Sequence, residues 1–163
     1  MRHAARLVAV GAVVGGMLAG ATPARAQDAT LRGLVGISSV SIIVEQLEDD
    51  AVRCNVSESG IDAAIRLPLD ASRLRIEPNT TPYVYARVNV LPLASGLCVA
   101  SIDVSLKRIL AIPATNQLVF GAMVWERGSL ATGPASNFGQ RVNQTVGDYT
   151  KQLIAAWIQA NPR

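Results

Sequence analysis

The most constraining stretch of this sequence is Leu97-Cys98-Val99-Ala100-Ser101-Ile102-Asp103-Val104-Ser105-Leu106-Lys107. Cys98, Ala100, Ile102, Val104 and Leu106 are apolar, whereas Ser101, Asp103, Ser105 and Lys107 between them are polar. Successive side chains of an extended chain point to opposite sides. A repeat of two therefore marks a strand with one face buried and one face in water. The stretch also carries one of only two cysteines, so a covalent tie to an earlier segment is expected.

The N-terminus reads as an export signal. Met1 to Arg6 is a short basic head, Leu7 to Ala21 an apolar run, and Ala24-Arg25-Ala26 the small-x-small pattern of a cleavage site. The cut is expected before Gln27, leaving residues 27–163 as a single domain. The apolar run of 15 residues falls short of the ~20 needed to span a bilayer. Leu18-Ala19-Gly20 is followed by alanine rather than cysteine, so neither a spanning nor a lipid anchor is expected. The Ala/Gly/Val-rich composition points to a GC-rich bacterium, and hence to the periplasm or secretion beyond it.

Cleavage changes the charge balance. The whole chain has 15 basic and 12 acidic residues, but Arg2, Arg6 and Arg25 leave with the leader, so 12 of each sign remain. No basic stripe is left to attract nucleic acid or an anionic membrane. In an oxidising compartment the isolated pair Cys54 and Cys98 reads as a disulfide.

Gln27 to Leu34 reads as a frayed lead-in. From Val35 a first strand follows, with Val40, Ile42 and Val44 on one face and Ser39, Ser41 and Glu45 on the other. Glu48-Asp49-Asp50 reads as a solvated turn, because the alternating spacing of a calcium loop is absent. Ile61, Ile65 and Leu69 form an apolar helical stripe behind a cap at Asn55 or Ser57. That helix is expected over Glu58–Ser72, disturbed by Pro68. Leu74 to Ile76 is a short extended piece. Pro82 to Leu91 is a second main strand, joined by a short loop to the strand running from Leu97 towards Ile112. Gln117 to Arg127 is the next strand; both its faces are apolar, so its orientation is open. Gly128 to Ser136 reads as a flexible loop. Phe138, Val142, Val146, Tyr149, Leu153, Trp157 and Ala160 mark a long amphipathic helix stopped by Asn161-Pro162.

The expected fold is α+β: an antiparallel sheet of about four strands in the order β-α-β-β-β-α, helices on one face, and one disulfide. Pairing of the second and third strands sets Tyr83, Tyr85 and Arg87 beside Ser101, Asp103 and Ser105 on the polar face. Tyr83, Tyr85, Arg87 and Asp103 are the candidate interaction face. Phe120, Met123, Trp125, Tyr149 and Trp157 are candidates to line an apolar ligand site between sheet and helices.

The sole histidine, His3, lies in the leader. The mature chain thus lacks the commonest general base and the commonest transition-metal ligand. There is no G-x-S-x-G, no phosphate-cradling glycine loop and no S-x-x-K. No catalytic residue, metal site or cofactor is expected.

Pro82-Tyr83-Val84-Tyr85, the strand closing on Val124-Trp125, and the long helix ending at Asn161-Pro162 resemble a group of small exported proteobacterial proteins without assigned activity. At fold level the arrangement is similar to the α+β modules of envelope-assembly accessory proteins. The first reading of the chain is a non-catalytic periplasmic protein that binds another envelope protein through the Tyr83, Tyr85 and Arg87 face or the Gly128–Ser136 loop. The alternative from the residues is a small carrier of an apolar ligand.

Overall fold

A computed structural model describes residues 31–112 and 114–162. The expected leader and its cleavage point lie outside the described residues. The elements are strands β1 (Ser39–Val44), β2 (Arg75–Ile76), β3 (Tyr83–Pro92), β4 (Leu97–Ile112) and β5 (Gln117–Pro134), and helices α1 (Asp50–Arg53), α2 (Glu58–Asp70) and α3 (Ala135–Ala160). The fold is α+β, with helices against one face of the sheet and a Cys54–Cys98 disulfide. No helix among the described residues is long and apolar enough to cross a membrane.

The strand order is β2-β1-β3-β4-β5, five strands rather than four. The sheet is mixed, not wholly antiparallel: β1 runs parallel to both β2 and β3, while β3–β4 and β4–β5 are antiparallel. The reason is the connection. A chain that leaves β1, crosses the sheet as a helix and returns enters the next strand in the same direction.

The alternation along β4 is realised on the side facing the helices, while Ser105 on the other side is buried as well. Cys98, Ala100, Ile102, Val104 and Leu106 are each at most 1% exposed, facing the helices. Their cross-strand partners Val84, Ala86, Val88 and Trp125 share that face. Ile61, Ile65 and Leu69 of α2 and Phe138, Val142, Val146, Leu153 and Trp157 of α3 close the core from the other side.

Four local expectations are corrected. Residues 31–34 form a helical turn with Leu34 fully buried, not a frayed lead-in. Asn161 holds this turn: its Nδ2 donates to the Leu34 carbonyl at 3.0 Å and its Oδ1 accepts from Gly36 N at 2.8 Å. The acidic turn opens the short α1. Helix α2 is capped at Ser57, whose Oγ accepts from Gly60 N, and it ends at Asp70. Pro68 lies within its last turn, where it removes a single N–H, and the fully buried Leu69 holds that turn against the core. The expected flexible loop Gly128–Ser136 is instead the second half of β5 followed by the start of α3. The sixteen residues of β4 offer a template that extends this pairing to Leu97↔Pro134.

The disulfide sits where three segments meet. Cys54 ends α1, Cys98 begins β4, and the next residue, Asn55, donates from Nδ2 to the Ala135 carbonyl at the start of α3. Gly139 of α3 packs so closely here that a Cβ would lie 1.8 Å from the Asn55 carbonyl oxygen.

Two outcomes follow for stability. The Cys54→Ser/Cys98→Ser double variant should lose about 4 kcal/mol on a chain-entropy account of a 44-residue separation, read by urea unfolding. Gly139→Ala should be destabilised by about 2 kcal/mol, because overpacking against backbone outweighs the gain in helix propensity. Its thermal midpoint should fall below that of the parent.

Candidate interaction face

Alternation in β3 places Val84, Ala86 and Val88 in the core and Tyr83, Tyr85, Arg87 and Asn89 on the face that carries no helix. The β3–β4 register sets Tyr83 opposite Lys107, Tyr85 opposite Ser105, Arg87 opposite Asp103 and Asn89 opposite Ser101. The four candidate residues Tyr83, Tyr85, Arg87 and Asp103 are therefore contiguous, spanning two central strands.

The face is internally bonded. The Tyr85 hydroxyl donates to Glu45 Oε2, and Lys107 Nζ stands 3.8 Å from the centre of the Tyr85 ring. Arg87 Nη2 lies 3.7 Å from Asp103 Oδ2, and Asn89 Nδ2 donates to Ser101 Oγ at 3.3 Å. Two cations and two carboxylates balance here. Such half-exposed pairs are worth roughly 0–1 kcal/mol each, so they orient side chains more than they stabilise the fold.

Glu45 and Lys107 are the members that sequence reasoning missed. Lys107 was legible as the next polar residue of the β4 alternation. Glu45 required the parallel β1–β3 pairing, fixed by Val44↔Ala86 and the Glu45 N to Ala86 O bond of 2.9 Å. Gly128 on β5 belongs to the site for a steric reason: a Cβ there would sit 2.3 Å from Asp103 Oδ1. At the Tyr83 end the face runs into a groove of about 860 Å3 between β1 and the turn before β3, with Ser41, Ile43, Thr80 and Arg66 in its lining.

The hydrogen bond to Glu45 holds the Tyr85 phenol above its ordinary value of 10.0, with partial desolvation acting in the same direction. The bonded phenol is the protonated form, so the proton is favoured in the folded state.

The five apolar lining candidates do not converge. Trp125 and Trp157 are core residues, and the Trp157 indole N–H donates to the Ile37 carbonyl at 2.8 Å. Tyr149 is half-buried at the edge of that core. Phe120 and Met123, by contrast, are 73% and 53% exposed on the outer part of β5. Among the described residues these five side chains are therefore not gathered at one place between sheet and helices. The orientation of β5 left open by its sequence is settled: Trp125 faces in, paired with Leu106.

No family model and no curated protein matches this chain. Among solved structures it is similar to a PelC dodecamer from Paraburkholderia phytofirmans, at 18% identity and a TM-score of 0.44 over 73% of this chain and 87% of that one. It is also similar to a minor lipoprotein from Acinetobacter baumannii, at 12% identity and a TM-score of 0.37 over 73% of this chain and 94% of that one. Neither likeness is close enough to carry a function.

The Tyr85–Glu45 bond has a measurable signature. In an ultraviolet titration the Tyr85→Phe variant should lose the raised Tyr85 ionisation, and Glu45→Ala should return that ionisation towards 10. The stability from this bond is fully present below the unfolded tyrosine pKa and lost as pH rises through the raised folded one. Glu45→Ala should flatten that alkaline loss.

Proposed function

We propose that this chain is a non-catalytic, exported protein of the bacterial envelope that binds another envelope protein through the uncovered face of its sheet. The observation that carries this reading is the one-sided cover. Helices occupy one face only, and Tyr83, Tyr85, Arg87 and Asp103 stand together on the other with Glu45 and Lys107. Tyrosine and arginine supply large contact area and directional donors, and both are enriched where protein surfaces meet. Balanced charges on the face suit a partner of mixed polarity rather than a polyanion.

Two further features support the compartment and the lack of chemistry. The leader pattern and the Cys54–Cys98 bridge both fit an oxidising compartment. The absence of histidine after Ala26, and of any nucleophile motif, favours recognition over catalysis.

Crosslinking pull-down from the native host tests the reading. The parent chain should capture one envelope polypeptide. A Tyr83→Ala/Arg87→Ala variant should lose it at least tenfold while its thermal midpoint changes little, since both side chains lie outside the core and the Arg87–Asp103 pair is worth roughly 0–1 kcal/mol. Equal capture by both proteins, or turnover traced to the purified chain, would sink it.

A further inference from the structure

Strand β4 continues five residues past Lys107, its last partner on β3, and β5 accompanies it. The β4–β5 hairpin therefore projects beyond the rest of the sheet as a two-stranded arm, about 16 Å long at the rise of a strand. From Ile109 to Trp125 the sequence holds no Asp, Glu, Lys or Arg. Leu110, Ile112, Leu118, Val119, Phe120 and Met123 on this arm are all exposed, by 37% to 73%. Together they present on the order of 500 Å2 of mostly apolar surface, towards the upper end of what a monomer ordinarily leaves bare.

We infer that the arm packs against the arm of a second copy of this chain. Four observations select that occupant. Leu110↔Val119 and Ala111↔Leu118 are successive pairs and so point to opposite faces, which makes the ribbon apolar on both sides. Among the described residues both edges are open: β3 does not reach Arg108–Ile112, and β5 is the last strand of the sheet. Open strand edges carry unpaired N–H and C=O groups, which hydrocarbon does not accept but another polypeptide strand does. The uncharged arm meets its own copy without like-charge repulsion, with the cations Lys107 and Arg108 and the pair Glu126 and Arg127 kept at its base. Two arms together offer about 1,000 Å2, at the lower bound for a biological interface. A lone two-stranded ribbon is marginal in water, whereas three or more strands are not.

Sedimentation of the full exported protein at micromolar concentration decides the matter. The parent should run at twice the chain mass, and Leu118→Lys/Phe120→Lys at the mass of one chain with an unchanged circular dichroism spectrum. Because that variant can fail to fold, amide hydrogen exchange of the parent supplies an independent reading. Protection over residues 109–123 should rise with protein concentration while that of β3 does not. A monomeric parent, a folded variant that still dimerises, or arm protection that responds only to phospholipid vesicles would overturn the inference.

Discussion

One-sided burial of β4 is the constraint on which the rest depends. Five alternate side chains from Cys98 to Leu106 are sealed against the helices, and the residues between them face the other way. A slip of one residue would drive Ser101, Asp103 and Ser105 into the core and expose the whole apolar set, so the register has no near competitor. That register fixes which side chains of β3 and β5 can be apolar. It also places the disulfide at one end of β4 and the projecting arm at the other.

Where the sequence has a single strong period, the fold was legible. Strand β4 was readable from Leu97 to Ile112, and α3 from its stripe between Phe138 and Trp157, because one face of each had to meet the core. The direction of β1 was not readable from its side chains, since alternation is the same in parallel and antiparallel strands; only the intervening helices decide it. The outer half of β5 gave no orientation for a different reason. Its apolar residues on both faces serve no internal core, because the helical layer does not extend over them. Gly128 to Pro134 looked like a loop by composition, yet Gly128 is there to let the Asp103 carboxylate lie across the strand.

The candidate face was partly legible in the same terms. Tyr83, Tyr85, Arg87 and Asp103 lie on two adjacent strands whose pairing follows from a short connection. Glu45 is contributed by a strand some forty residues away in sequence, joined through a crossover. With it the face becomes a set of fixed donors and acceptors rather than a row of solvated side chains. Its charges are already paired, so a ligand must exchange contacts rather than simply add them. That favours selectivity over tight, indiscriminate adhesion.

The clasp between residues 34–37 and the end of α3 bears on when folding can finish. Leu34, Gly36 and Ile37 are held by Asn161 and Trp157, more than one hundred residues later. A polypeptide made from its N-terminus onwards must keep this turn waiting until Trp157 and Asn161 emerge. The domain is thus latched only once the far end of α3 is in place.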